Sequence, residues 1–200
     1  MGILDGVTTN PTLLSKEPGD YREILKTICQ IVKGPVSGEV VATDYAGMLR
    51  EGHDLARIDG HIVVKVPLTR DGIKACKTLA SEAIRVNVTL VFSPAQALLA
   101  AKASATFVSP SIGRLDDVAS SGMTVDFTTE VLVASCVVAK DFDDVAQPPP
   151  MHIVEVARIG ADICASPAAV LIDALFNHPL TNIGLERFIK DWEKAHAVKA

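Results

Sequence analysis

The chain has 200 residues, with 19 basic and 24 acidic side chains and a formal net charge of −5. Hydrophobic residues make up 48% and charged residues 22%, a globular balance that excludes a disordered or collagen-like chain. The acidic excess argues against nucleic-acid binding, which needs clustered Lys and Arg. The length fits a single domain spanning residues 1–200.

Short apolar, β-branched runs alternate with helical patterns along the chain. The predicted strands are 6–9, 37–42, 62–67, 86–92, 106–110, 131–135 and 161–165. The predicted helices are 21–32, 47–58, 72–82, 94–103, 151–159, 167–176 and 182–196. This repeat of strand and helix indicates parallel βαβ units. The strands are apolar on both faces, as parallel strands covered by helices are.

Seven such units favour an α/β fold of the TIM (β/α)8-barrel type over an open doubly wound sheet. Polar residues recur inside the strands or at their ends, and a barrel gathers such residues at its C-terminal mouth, where active sites of this fold lie. An open sheet would spread them along a line. These residues are Thr8, Thr9, Asn10, Glu39, Lys65, Asn87, Thr89, Ser109 and Ser135.

Motifs for other locations and chemistries are absent. Apolar runs are far shorter than the roughly 18 residues of a spanning helix, and no secretion or lipidation signal occurs at the N-terminus. We therefore expect a cytoplasmic protein with no membrane partner. Glycine-rich phosphate loops and protease motifs do not occur. The four cysteines lack zinc-ligand spacing, so we expect buried free thiols and no metal at Cys29, Cys76, Cys136 and Cys164.

Lys65 lies inside the apolar run 62–67. Burial in a low-dielectric medium disfavours the charged form of an amine, and a neutral amine attacks carbonyls to form a Schiff base. From this segment alone, the alternative is a lysine that protects an edge strand from aggregation.

A Schiff-base enzyme also needs groups for proton transfer. Glu39 is a carboxylate within another apolar strand, where it could serve this chemistry or act as a structural ion-pair partner. Asn87 and Thr89 are two residues apart on one strand and therefore share a face. They suit hydrogen bonds to substrate hydroxyls or to a water, although each could simply fill the core.

Two segments carry a resemblance to a known family. Residues 6–14 (GVTTNPTLL) and 62–79 (IVVKVPLTRDGIKACKTL) are similar to the two signature sequences of the transaldolase family. Residues 87–103, 107–117 and 178–192 resemble its small bacterial and archaeal members. The resemblance implies a class I aldolase-type reaction of the pentose phosphate pathway. In it a dihydroxyacetone unit passes between sugar phosphates, with no metal or organic cofactor.

The resemblance also implies individual roles. Lys65 matches the lysine that forms the Schiff base, and Glu39 and Thr89 match residues that hold a catalytic water. A guanidinium suits phosphate binding, and Arg114 matches an arginine with that function. The full substrate-binding set implied by the resemblance is Asn10, Asn87, Ser109, Arg114 and Ser135.

Two alternative functions remain at this stage. Fructose-6-phosphate aldolases belong to the same family but carry glutamine at the position of Glu39, lack the asparagine of Asn87 and have tyrosine at Ser111. Glu39 and Asn87 therefore favour transaldolase, whereas Ser111 fits neither group. The third hypothesis is a truncated, low-activity paralogue that only binds sugar phosphates.

The chain departs from the family pattern at several places. The family has a strand with a catalytic aspartate, and a helix, before the position of Gly6, so we expect a barrel lacking its first strand and helix. Residues 136–150 stand where the family has a turn with a phosphate-binding arginine. The amphipathic C-terminal helix, 180–196, builds pentamers and decamers in small members, so we expect a homo-oligomer. The alternative is that it packs on its own barrel.

Overall fold

The computed structural model describes residues 2–111, 136–137, 151–158, 160–167 and 175–197. The strands are β1 (Val7–Thr8), β2 (Val36–Glu39), β3 (Ile62–Pro67), β4 (Val86–Val91), β5 (Phe107–Pro110), β6 (Cys136–Val137) and β7 (Cys164–Ala165). The helices are α1 (Pro11–Leu14), α2 (Tyr21–Val32), α3 (Tyr45–Ala56), α4 (Arg70–Ser81), α5 (Pro94–Lys102), α6 (Met151–Arg158) and α7 (Pro179–Ala197).

Strands β1 to β5 form one parallel sheet in which each strand pairs with the next one along the chain. The helices alternate with these strands, and the sheet curls into half of a barrel. Strands β6 and β7 form a second parallel pair. A doubly wound sheet would reverse its strand order part-way, which β1 to β5 do not. The predicted partial TIM barrel is confirmed.

Short polar side chains at the carboxyl ends of the strands determine where the helices begin. The Asp44 carboxylate accepts from Gly47 N at 2.9 Å, and the Thr69 hydroxyl accepts from Gly72 N at 2.9 Å. Each satisfies an amide that the first turn of a helix leaves unpaired. Helices α3 and α4 therefore begin at Tyr45 and Arg70, two residues before the predicted starts, because apolar periodicity becomes visible only after the cap.

The hydrophobic core lies between the outer face of the curled sheet and the helices. Strands β2 to β5 contribute mostly valines to it, and helices α2 to α5 contribute leucines, alanines and cysteines. Nearly all of these side chains are inaccessible to solvent, including Val36, Val64, Val66, Val86, Val88, Val91, Val108, Leu25 and Leu79. The opposite, inner face carries the polar residues.

The cysteine prediction is correct for two of the three thiols described. Cys29 and Cys76 are free and buried, and burial raises the pKa of the Cys76 thiol to about 11. Cys164 is free but exposed, which contradicts the predicted burial. It lies in the two-residue strand β7, next to Ile163, which is itself 36% exposed. Local apolar sequence was therefore not enough to place it in a core.

Several predicted features fall wholly or largely outside the described residues: the strand 131–135, with Ser135, the helix 167–176, and Arg114. Strand β6 begins at Cys136, immediately after the predicted strand, and pairs with β7. In the described part of the chain, no helix is both long and apolar enough to cross a membrane. Helix α7 exposes large apolar side chains, namely Leu180, Ile183, Leu185, Phe188, Ile189 and Trp192.

Close contact between α4 and the end of β3 gives a first prediction. A Cβ on Gly72 would lie 1.9 Å from the Pro67 carbonyl oxygen, so Gly72→Ala must displace α4 or β3. We expect Gly72→Ala to lower the free energy of unfolding by about 1–3 kcal/mol, measured by urea denaturation. Gly60→Ala is the matched control, because nothing lies within 4 Å of its Cβ. Equal midpoints for the two variants would contradict the prediction.

Candidate active site

The parallel register brings polar residues of three neighbouring strands to one level on the inner face. Glu39 on β2 is paired with Lys65 on β3, and Lys65 is paired with Asn87 on β4. Residues paired across parallel strands project to the same side of the sheet, and side chains alternate along each strand. The valines between these positions face the helices, so Glu39, Lys65 and Asn87 face the interior.

Lys65 is the buried cation of this face. Its side chain is only 9% exposed, and its Nζ lies 3.1 Å from the Glu39 Oε2. The same Nζ donates a hydrogen bond to the Thr9 carbonyl oxygen at 3.2 Å. An unpaired buried ammonium is costly, and a carboxylate at this distance offsets that cost. The ion pair therefore joins β2 to β3.

Asn87 is the centre of a buried hydrogen-bond network that spans three strands. Its Nδ2 donates to the Ser37 hydroxyl on β2 at 3.1 Å, and its Oδ1 accepts from the Ser109 hydroxyl on β5 at 2.7 Å. All three side chains are buried. Because such a network tolerates little displacement, it fixes the inner surface beside Lys65.

Thr89 lies on the same face as Asn87, as the spacing predicts, and is paired with Pro67 of β3. The next residue, Leu90, has a φ of 58° and is 36% exposed. The ladder between β4 and β5 shifts register here, between Val88 and Val91. Such a bulge adds one residue to the strand, so that Thr89 stays on the inner face while Val91 returns to the core.

Sequence reasoning left two inner-face residues out of the site. Ser37 bonds to Asn87, as described above. Thr8 is paired with Ser37 across β1 and β2, and its hydroxyl is buried without a hydrogen-bond partner among the described residues. The available signal was spacing. Ser37 lies two residues before Glu39 on one strand and therefore shares its face, and the same alternation separates polar Thr8 from its apolar neighbour Val7 on β1.

The other predicted site residues occupy different surroundings. Asn10 is the N-cap of α1, where its Oδ1 accepts from Leu13 N at 2.8 Å. Ser111, which entered the sequence analysis only in the comparison of the two activities, is buried just after β5, and its amide donates to the Val91 carbonyl at 3.1 Å. Arg114 and Ser135 lie outside the described residues. Within the described ranges, no three His, Cys, Asp or Glu side chains are grouped so that they could hold a metal ion.

The Lys65 amine and the Glu39 carboxylate together allow nucleophilic and acid–base chemistry on this face. A primary amine stands on the inner face with a carboxylate in contact, so a proton can pass directly between them. Hydroxyl and amide groups from β2, β4 and β5 lie on the same face as this pair. A carbonyl compound with several hydroxyls would therefore meet both a nucleophile and hydrogen-bonding partners.

Comparison with known proteins identifies the family of the chain. The family model described as Transaldolase/Fructose-6-phosphate aldolase matches residues 1–199. The chain belongs to this family. Proteins named "Probable transaldolase" from Kosmotoga olearia and Aquifex aeolicus are each 52% identical, over 96% of this chain and 88% of their own length. One of the same name from Nitrosopumilus maritimus is 52% identical over 98% of this chain and 89% of its own.

The Asn87 network gives a second prediction. Asn87→Ala removes the hydrogen bonds to the hydroxyls of Ser37 and Ser109 in a buried region, so we expect the free energy of unfolding to fall by about 1–3 kcal/mol. Ser81→Ala serves as the control, since its hydroxyl donates to the Thr78 carbonyl in an exposed position. Chemical denaturation of both variants provides the measurement. A loss for Asn87→Ala no larger than that of the control would refute the network's contribution.

Proposed function

We propose that this chain is a transaldolase that transfers a dihydroxyacetone unit from a ketose phosphate to an aldose phosphate through a Schiff base on Lys65. The observation that carries the proposal is the buried Lys65 amine with the Glu39 carboxylate 3.1 Å away. Membership of the transaldolase/fructose-6-phosphate aldolase family supports the substrate class. The role belongs to the pentose phosphate pathway in the cytoplasm.

The proposed reaction begins with proton transfer from the Lys65 ammonium to a base, for which Glu39 is in contact. The neutral amine attacks the ketose carbonyl carbon, and loss of water from the resulting carbinolamine gives a protonated imine. The imine accepts the electron pair of the bond between its α and β carbons as that bond breaks. The hydroxyl on the β carbon gives its proton to Glu39, which has by then given up its own proton in the loss of water. An aldose phosphate leaves, and an enamine of dihydroxyacetone stays on Lys65. Attack of the enamine on a second aldose phosphate, followed by addition of water to the imine, releases the new ketose.

Proton transfers during imine formation and hydrolysis need a placed water, and we assign its positioning to Glu39 and Thr89. The contact of Glu39 with Lys65 supports this assignment, as does the burial of Thr89, which is paired with Pro67 two positions after Lys65. Substrate hydroxyls and phosphate are assigned to the remaining predicted residues, which are Asn10, Asn87, Ser109, Arg114 and Ser135. We also propose a homo-oligomer, a pentamer or decamer, because α7 exposes a row of large apolar side chains.

Trapping of the imine tests the proposal first. Borohydride reduces an imine to a stable secondary amine, so wild-type protein incubated with fructose 6-phosphate should carry a sugar-phosphate adduct at Lys65, found by peptide mass mapping. Lys65→Met should carry none. Lys77→Met is the control and should trap like wild type, because Lys77 lies on the outer surface of α4 and bonds to Ser104. Absence of an adduct on folded wild-type protein would refute the Schiff-base proposal.

The acceptor requirement separates transaldolase from the alternative activity. With fructose 6-phosphate and erythrose 4-phosphate, we expect a seven-carbon ketose phosphate and little free dihydroxyacetone, because the enamine persists until an aldehyde arrives. Comparable release of free dihydroxyacetone with and without erythrose 4-phosphate would instead identify a fructose-6-phosphate aldolase. Trapping at Lys65 without turnover of either kind would identify the low-activity binding paralogue.

A further inference from the structure

Within the described ranges, strand β2 is paired only with β3 at the level of Glu39. The last hydrogen bond from the β1 side runs from Thr9 N to the Ser37 carbonyl. Beyond it, the ladder to β3 continues with the Val40 amide, which donates to the Lys65 carbonyl at 3.0 Å. The chain then leaves the sheet at Val41, which is 72% exposed. Something other than the sheet must therefore define where β2 ends.

Glu51, on the second turn of α3, reaches back to this point. Its Oε2 accepts from the Val41 amide at 2.7 Å and from the Ala42 amide at 3.0 Å. Two consecutive backbone donors thus converge on one charged oxygen. Hydrogen bonds to an ionised acceptor are shorter and about twice as strong as neutral ones, so this contact competes well with water at an exposed position.

Two further contacts hold the same connection, residues 40–45. The Tyr45 amide donates to the Asp71 Oδ2 on α4 at 3.2 Å. A Cβ on Gly47 would lie 2.6 Å from the Ala42 Cβ, so Ala42 approaches α3 as closely as a glycine allows. Both contacts lie at Ala42 or beyond it, so the Val41 amide that Glu51 binds is the point of these three contacts nearest along the chain to Glu39.

We infer that Glu51 is a positioning residue: by binding the Val41 and Ala42 amides it fixes the end of β2 and so holds the Glu39 carboxylate against Lys65. Glu51 itself is bonded to the backbone of the connection and acts only through Glu39. The inference rests on the proposed function for its catalytic consequence, while its geometric content concerns the Glu39–Lys65 pair alone.

Kinetics of five variants, one of them a double substitution, test the catalytic consequence. In Glu51→Ala we expect kcat to fall about tenfold with KM changed less than about twofold, because acid–base assistance is realised in the transition state. Glu51→Gln should recover most of the rate, since its amide oxygen can still accept from both amides. Asp54→Ala is the matched control on the same helix, because among the described residues Asp54 makes only surface ion pairs, with Arg22 and Arg57. In a Glu39→Gln background, Glu51→Ala should cost less than about twofold more, since coupled residues are non-additive.

A second measurement needs no turnover. Acetic anhydride at fixed pH acylates amines, and mass mapping gives the rate at Lys65 relative to exposed Lys77 of the same molecule. Loss of the ion pair should speed acylation of Lys65 several-fold in both Glu39→Gln and Glu51→Ala, whereas Glu51→Gln and Asp54→Ala should match wild type. Should Glu51→Ala fail to fold, Glu51→Asp, whose shorter side chain cannot reach both amides, takes its place and should speed acylation in the same direction.

The outcomes are distinguishable. An unchanged Lys65 acylation rate in folded Glu51→Ala or Glu51→Asp would overturn the inference, as would a tenfold kinetic loss that persists in the Glu39→Gln background. If wild type forms no imine with a sugar phosphate, the proposed function fails, and the acylation rates still decide whether Glu51 holds Glu39 in place.

Discussion

The ion pair between Lys65 and Glu39 is the constraint on which the inner face depends. Both charges lie on adjacent strands at one level, and both side chains are largely removed from solvent. A buried ammonium without its partner is strongly unfavourable, so the register between β2 and β3 cannot shift by a residue without separating the pair. Such a shift would also turn Lys65 outward into the valine core. The ion pair therefore favours this register of β2 and β3, and this register in turn brings the two charges together.

This constraint explains why the two faces of the sheet differ so sharply. The outer face is packed with valines and leucines against α2 to α5 and supplies most of the apolar burial. That packing allows the inner face to carry Lys65, Glu39 and the Asn87 network without losing the fold. Apolar stabilisation and polar function are thus separated by the alternation of side chains along each strand, as residue pairs such as Val64 and Lys65 show.

Strong local sequence patterns made the strands and the positions of the inner-face residues predictable. The apolar run 62–67 is strand β3 at its predicted bounds, and the inner-face positions of Glu39, Lys65, Asn87 and Thr89 follow from period-two alternation. Contacts through space were not predictable. The reach of Glu51 back to the Val41 amide depends on how α3 packs. Leu90 has a positive φ, a conformation that glycine or asparagine usually adopts, so its residue type did not predict it. Cap residues such as Asn10 bond locally to the backbone, so their polarity alone does not identify a ligand contact.

Glu39 had two interpretations from sequence, structural ion-pair partner and proton-transfer group, and the geometry makes them compatible. In the proposed reaction, Lys65 must lose a proton before it can attack a carbonyl, and the atom nearest to receive it is the carboxylate oxygen 3.1 Å away. The charged pair becomes a neutral pair on transfer, and a neutral pair costs less to desolvate when a substrate displaces water from the pocket. Substrate binding would therefore favour the state in which Lys65 is a nucleophile. The Glu39 carboxylate that pairs with Lys65 in the resting protein would thus also hold the proton that imine formation later requires.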